Sequence, residues 1–128
     1  MVNSKTSYND RIHLILESIE LRPFFNIQTW KGIFSVIQEW VLILIAALLC
    51  ETYYHWSIYI ITVVFIGARY LALGLLMHES VHGLISKNKK VNDIVGEVFC
   101  AWPVIVSMKS YKVKHLKHHQ CLNTDEDP

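Results

Sequence analysis

Residues 57–77, SIYIITVVFIGARYLALGLLM, form an apolar block with a single charge, at Arg69. A helix needs roughly 20 predominantly apolar residues to cross the hydrocarbon core of a bilayer. The block therefore predicts a membrane span at about 57–77. The whole chain has 52% hydrophobic residues and a mean hydropathy of +0.29. With its apolar residues gathered in blocks, this composition indicates a membrane protein more than a compact soluble domain.

A second span is predicted before this block. Residues 33–53 read IFSVIQEWVLILIAALLCETY, and the fully apolar part, 40–50, is too short to cross a bilayer alone. The connector between the two blocks is rich in tyrosine and tryptophan, which suit the surface of a membrane. The two blocks therefore predict a transmembrane helical hairpin. Arg69 inside a span is costly and is a candidate functional residue, unless it snorkels or pairs with Glu39.

The distribution of charge orients this hairpin. Basic residues precede the first span at Lys5, Arg11, Arg22 and Lys31, seven lysines follow the second span, and the connector has no lysine or arginine. Because loops rich in lysine and arginine stay in the cytoplasm, both termini of this multi-pass chain are expected to be cytoplasmic. The N-terminus lacks the basic cap, apolar stretch and cleavage site of a secretory signal peptide, so no cleaved signal is expected.

The remaining segments are predicted to be helical without crossing the membrane. Residues 1–32 form an N-terminal cytoplasmic segment, in which apolar residues recur at helical spacing over 12–19 and predict an amphipathic helix. Residues 91–108, VNDIVGEVFCAWPVIVSM, are short for a span and contain two acids and a proline. They predict a helix in the membrane interface or packed beneath it. The predicted fold class is therefore an all-α membrane protein, with a transmembrane hairpin and interfacial and cytoplasmic helices.

Five of the seven histidines fall in two groups after the second span. His78 and His82 are one helical turn apart, as are His115 and His119, while His118 is offset toward an adjacent face. If the second helix continues past its apolar block, both groups lie on the cytoplasmic side near the membrane. Neutral imidazole suits iron, zinc, copper and nickel, and the three dispersed cysteines suggest no thiolate site. Five histidines exceed the ligands of one zinc site, which favours a two-metal centre or additional residues that orient the ligands.

Two other interpretations fit parts of this pattern. Residues 78–82, His-Glu-Ser-Val-His, match the HExxH pattern of zinc proteases, with Glu79 as the general base, but this leaves the group at 115–119 unexplained. Alternatively, the chain is a non-catalytic membrane protein, and its second group is part of a lysine-rich surface that attracts anionic headgroups. A net charge of +1 gives no indication of a nucleic-acid partner.

The two groups and their surroundings resemble the integral-membrane fatty acid desaturases and the related hydroxylases. Residues 78–82 match the family's HxxxH histidine box, hereafter the first box, and residues 115–119, HLKHH, match its HxxHH box, hereafter the second box. The resemblance extends from about Ser57 to Pro128 and includes KNKKVNDIVGE between the boxes and the ending HHQCLNTDEDP. Residues 33–128 are therefore expected to be part of a fatty acid desaturase domain.

The resemblance implies an O₂-dependent desaturase of acyl lipids with a non-haem di-iron centre and an electron donor such as a ferredoxin or a cytochrome b5-type protein. This agrees with the residues, because breaking an aliphatic C–H bond requires a redox metal and zinc has no redox chemistry. A carotenoid or alkane hydroxylase is the related alternative. Glu79, Asn123 and Asp125 are candidates for orienting the ligands, and Glu126 and Asp127 are further carboxylates available for this role. No catalytic residue is expected beyond the ligands themselves. The implied iron ligands are His78, His82, His115, His118 and His119.

The family also has a third histidine box, after a second pair of spans, and this sequence contains no counterpart of it. The five histidines are fewer than the ligands that the family's centre requires. The chain is therefore expected to be an incomplete desaturase that lacks its C-terminal half, either a fragment or a truncated product, and to be inactive alone.

Overall fold

The computed structural model of the chain describes residues 26–122 and 124–128. The predicted N-terminal amphipathic helix and Asn123 lie outside the described residues. A π-helix at Val95–Ala101 and a 3-10 turn at Trp102–Val104 connect the last two α-helices. The α-helices are α1 at Thr29–Thr52, α2 at Trp56–Val81, α3 at Lys89–Ile94 and α4 at Met108–Cys121. The predicted all-α fold is confirmed.

Helices α1 and α2 are each long and apolar enough to cross a membrane. Their 24 and 26 residues correspond to about 36 and 39 Å at 1.5 Å per residue, more than the roughly 30 Å of a bilayer core. The predicted blocks at 33–53 and 57–77 therefore correspond to two long helices. Helix α2 continues past its apolar block to Val81, so that the first box occupies its last turn and its C-cap.

The two long helices form a hairpin, and an ion pair between them lies within it. Arg69 Nη1 donates to Glu39 Oε2 at 3.3 Å, so the charge within α2 is balanced by a buried carboxylate of α1. Of the alternatives considered for Arg69, pairing with Glu39 is the one observed. Large apolar side chains cover the outside of the hairpin, as expected for helices that face lipid tails: Leu44, Leu48, Ile61, Val64 and Leu71.

The buried core lies at the end of the hairpin that carries the first box. There the π-helix packs closely on α2, because a Cβ at Gly96 would overlap the Ser80 side chain. Trp40 Nε1 donates to the Phe99 carbonyl at 3.0 Å and so joins α1 to the π-helix. The core residues are Val36, Met77, Val81, Cys100, Ala101 and Met108.

Residues 91–108, predicted as one helix, are helical without interruption up to Val104, with α, π and 3-10 geometry in turn, and then bend sharply. The segment Lys89–Val104 and helix α4 meet at 96°. By length and composition this bent pair is a third candidate for the membrane, as a broken span or a re-entrant loop. The bend includes Ile105, whose φ of 59° lies in the left-handed region that β-branched residues rarely adopt. The bend places α4 beside the end of α2.

Candidate metal centre

The first box is positioned by the way in which α2 ends. Gly83 has a φ of 76°, and its N–H donates to the Ser80 carbonyl at 2.9 Å. A left-handed glycine that satisfies a terminal carbonyl is a common way to end a helix. His82 is the C-cap residue, and His78 lies one turn before it. His82 therefore lies in the turn that ends α2, and His78 lies in the last turn of the helix itself.

The second box is positioned by the start of α4. The Ser107 hydroxyl accepts a hydrogen bond from the Ser110 N–H at 3.4 Å, as expected of an N-cap serine. Glu97 of the π-helix accepts the Lys109 N–H at 3.2 Å, and a carboxylate there also stabilises the positive end of the helix dipole. These contacts connect the start of α4 to the π-helix and hence to α2.

Four imidazoles from the two boxes converge on one point. One ring nitrogen from each lies within 4.8 Å of the other three. His115 Nε2 is 2.9 Å from Nε2 of His82 and 2.9 Å from Nε2 of His119. A ring nitrogen carries either one proton or one lone pair, so His115 Nε2 cannot make two ordinary hydrogen bonds at once. Nitrogens bound about 2.1 Å from one metal ion lie about 3.0 Å apart when they are at 90° and about 3.4 Å apart at a tetrahedral angle, so the spacing of 2.9 Å is close to that of neighbouring ligands at 90°. The four-histidine cluster consists of His78, His82, His115 and His119.

His118 lies beside the four-histidine cluster. Its ring centroid is 5.9 Å from that of His119, and its Nδ1 is 2.7 Å from Asp127 Oδ1. A carboxylate bound to one ring nitrogen holds the imidazole in place and leaves the other nitrogen for a metal. His118 therefore has the surroundings of a ligand that acts through Nε2, and its role as a ligand stays a prediction.

The residues predicted to orient the ligands have different positions. Glu79 Oε1 is 3.6 Å from His78 Nδ1, too far for a hydrogen bond but within range of an ion pair when the imidazole is protonated. Asp125 is exposed and, within residues 26–122 and 124–128, forms no hydrogen bond to a histidine. Asp127 instead has the contact that was expected of Asp125.

Tyr111 is a site residue that the sequence interpretation missed. Its hydroxyl is 3.5 Å from His115 Nδ1, and the two rings are nearly parallel, with centroids 5.2 Å apart. Residues four positions apart on a helix are neighbours, so the spacing from Tyr111 to His115 was the available signal. The hydroxyl is near Nδ1, whereas Nε2 of the same ring faces His82 and His119, so this contact can hold the ring in one orientation.

The environment of the cluster favours the neutral form of two imidazoles, those of His82 and His115. Burial lowers the pKa of His82 and of His115 below the ordinary value of 6.5, and the neighbouring His78 and His119 lower both further. Neutral imidazole is the form that binds metal ions. Because two of the four residues are exposed and two are half-buried, an ion can enter from solvent. The nitrogen-only donor set fits iron as well as zinc or copper.

Comparison with known proteins gives one family. The family model for fatty acid desaturases matches residues 54–128, a range that contains α2, both boxes and all of the structure between them. No solved structure matches the chain.

Three relatives illustrate the similarity. The chain is 29% identical over 111 residues to the dihydrorhizobitoxine desaturase of Bradyrhizobium elkanii, which covers 85% of the chain and 30% of the relative. It is 33% identical over 73 residues to the sn-1 oleoyl-lipid 12-desaturase of Anabaena variabilis, and the match covers 56% of the chain and 21% of the relative. It is 25% identical over 91 residues to the chloroplastic sn-2 acyl-lipid omega-3 desaturase (ferredoxin) of Helianthus annuus, covering 71% and 20%. The chain thus spans less than a third of the length of each relative.

Proposed function

Because the chain belongs to the fatty acid desaturase family, we propose that it is part of an O₂-dependent membrane desaturase of acyl lipids and supplies two boxes of histidine ligands to a di-iron centre. The observation that carries the proposal is the convergence of imidazoles from positions 33 residues apart, in contact at 2.9 Å. When bound, iron would supply the oxidative chemistry, driven by O₂, that removes two hydrogens from an unactivated pair of methylenes.

The residues of this chain would hold and orient that metal. The four-histidine cluster offers four nitrogens to one ion, and His118 Nε2, with Nδ1 engaged by Asp127, offers a fifth donor beside it. Two iron ions need more ligands than these five. The remaining ligands are therefore proposed to come from sequence beyond these 128 residues, which agrees with the greater length of the relatives.

The position of the cluster suits a lipid substrate. Both boxes lie at one end of the apolar hairpin, so an acyl chain can approach from the bilayer without passing through bulk water. The lysines that accompany the boxes favour the cytoplasmic side for this end. The name of the Helianthus annuus relative includes ferredoxin, which supports a ferredoxin as electron donor, with a cytochrome b5-type protein as the alternative.

Iron binding by the chain itself gives the first test. The chain in lipid nanodiscs is loaded anaerobically with Fe(II), and its iron content is compared with that of a His82→Ala, His115→Ala double variant. We expect saturable binding that the double variant loses and that His55→Ala, at the opposite end of α2, retains. Equal retention of iron by the double variant would contradict the proposal. A preference for zinc, with peptide hydrolysis that depends on Glu79, would favour a metalloprotease.

A chimaera tests the activity. The chain replaces the matching part of the Anabaena variabilis 12-desaturase, and the fatty acids of the host cells are analysed by gas chromatography. We expect new double bonds from the chimaera and none from the same chimaera with His115→Ala. A chimaera that is inserted in the membrane and binds iron but forms no double bonds would contradict a desaturase role for this segment.

A further inference from the structure

Asn92 has a buried, hydrogen-bonded side chain near the first box. It is 2% exposed and lies at the second turn of α3, against the end of α2. Its Nδ2 donates to the Ser80 carbonyl at 2.8 Å, and its Oδ1 accepts the Ile85 N–H at 3.2 Å. One amide thus bonds both sides of the turn that runs from residue 80 to residue 85.

The Ser80 carbonyl shows what this amide contributes. A carbonyl oxygen has two lone pairs, and here one accepts the Gly83 N–H at 2.9 Å and the other accepts Asn92 Nδ2. At the end of a helix such carbonyls have no partner within the helix. The Asn92 amide therefore completes the hydrogen bonding of the turn that contains His82.

The contacts between Ser80 and Asn92 also extend to α4. Ser80 Oγ is 2.9 Å from the Asn92 carbonyl oxygen and 3.2 Å from Met108 Sδ, and Met108 is the first residue of α4. Gly96 allows this approach, since a side chain there would overlap both Ser80 and Met108. Helices α2, α3 and α4 are thus held together on the side of α2 that faces away from the histidines.

We propose that Asn92 is a positioning residue for the metal centre: its amide fixes the turn 80–85 and so directs His82 toward His115. This inference rests on the proposed function, because it assigns Asn92 a role at the same site. The 2.9 Å contact between the two Nε2 atoms leaves little tolerance, and metal sites need their ligands held within about 0.5 Å. Without the amide, the Ile85 N–H loses its acceptor, and the turn that carries His82 is free to shift.

Metal affinity tests the effect on the site. Asn92→Ala is compared with Asn88→Ala, in nanodiscs, by titration with cobalt(II) alone followed by its visible absorption. Asn88 caps the start of the same helix and, among the described residues, the hydrogen bonds of its N–H and side chain go to Ser86, Lys90 and Val91 rather than to the turn 80–85. We expect Asn92→Ala to weaken cobalt binding about 10-fold or more, as for residues that orient a metal ligand, and Asn88→Ala to have little effect. Equal losses from both would show general loosening and would overturn the proposal.

A double-mutant cycle tests whether Asn92 acts through His82. His82→Ala should cost less cobalt affinity in the Asn92→Ala background than in the wild type, because the misdirected imidazole already contributes less. His119→Ala should cost the same in both backgrounds. Additive losses for the Asn92 and His82 pair would overturn the proposed route.

A cross-linking measurement tests the positioning role of Asn92 in the absence of any metal. In a chain with Cys50→Ser and Cys121→Ser, the substitutions His82→Cys and His115→Cys place two thiols at the contact, and the rate of disulfide formation under mild oxidant reports their approach. We expect Asn92→Ala to slow this rate several-fold. An unchanged rate overturns the positioning role. If the wild type binds no cobalt, the proposed function fails while this rate still decides the role of Asn92. Asn92→Ser, which puts a smaller hydrogen-bonding hydroxyl in place of the amide, replaces Asn92→Ala if the latter does not fold.

Discussion

The two faces of the last turn of α2 are built in different ways. On one face, Ser80 is fully buried and hydrogen-bonded to Asn92, and its neighbours fit so closely that Gly96 has no room for a side chain. On the other face, His78 and His82 are exposed or half-buried, and their near neighbours are the imidazoles of the second box. One face is packed like the interior of a protein, and the other is open to solvent.

The difference shows how stability and binding are divided between the two faces. The packed face satisfies its polar groups by itself and so holds the helices together whether or not a metal is bound. The histidine face brings together nitrogens that cannot all satisfy one another, because His115 Nε2 has only one proton or lone pair to share. Changes on the histidine face should therefore alter metal binding with little change in metal-free stability. Changes on the packed face should lower metal-free stability, and at Asn92 they should weaken metal binding as well.

The largest effect is expected from His115→Ala. Its Nε2 lies at the centre of the cluster, so its loss should weaken Fe(II) or cobalt(II) binding by more than roughly 100-fold, beyond the effect of losing a residue that merely orients a ligand. The free energy of unfolding without metal should change by less than about 0.5 kcal/mol. Metal titration and thermal unfolding in micelles measure the two quantities, with Val113→Ala on the same helix as the control. A large loss of metal-free stability would remove the distinction between the faces.

Much of the fold was predictable because apolar length is a local property of the sequence. The blocks at 33–53 and 57–77 correspond to α1 and α2. A charge inside a span favours a partner of opposite charge, and Arg69 pairs with Glu39. The bend between the π-helix and α4 was not predictable. It includes the left-handed Ile105, a conformation that β-branched residues disfavour and that only the tertiary structure imposes.

The approach of the two histidine groups was predictable, whereas the contacts that support them were not; the role of the histidines as ligands stays a prediction. The helical spacing of the histidines predicts two pairs, and the structure brings both pairs together. The contribution of Asn92 depends on a turn that folds back from α3 to α2. Asp127 was one of several acidic residues available to orient a histidine, but which of them contacts His118 depends on where the chain goes after α4. Such contacts join elements whose relative placement is decided by packing, so no spacing rule reveals them.

A smaller effect is expected from Gly96→Ala on the packed face. The added Cβ would overlap the Ser80 side chain, and overpacking of this kind typically costs about 1 to 3 kcal/mol. Thermal unfolding followed by circular dichroism measures it. Gly67→Ala is the matched control, since a Cβ there meets nothing within 4 Å and alanine favours a helix by about 1 kcal/mol over glycine. If Gly96→Ala is as stable as Gly67→Ala, the packed face is looser than its contacts indicate.

The smallest effect is expected from pH, where the two faces should respond in separate ranges. The pKa of His82 and of His115 is lowered by burial and by neighbouring imidazoles. Between the lowered values and the ordinary value of 6.5, the unfolded chain therefore binds more protons than the folded chain, and metal-free stability falls as pH falls through this range. The pKa of Asp93, beside Asn92, is lowered chiefly by its hydrogen bond from Lys89. The stability that this carboxylate contributes is present above its ordinary value of 3.8 and is lost as pH falls through the lowered value.

Unfolding measured from pH 8 to pH 3 separates these contributions. His82→Gln with His115→Gln should flatten the dependence just below pH 6.5 and leave the acid range unchanged, because glutamine does not titrate. Lys89→Met should flatten the dependence in the acid range and leave it unchanged just below pH 6.5, since it removes the main cause of the lowered Asp93 pKa. Both slopes should be shallow, because these side chains are partly exposed and solvent screens their charges. If the histidine variant instead changed the stability in the acid range, the ionisation of the two faces would be coupled through α2. The histidine face would then depend on the packed face for its protonation as well as for its geometry.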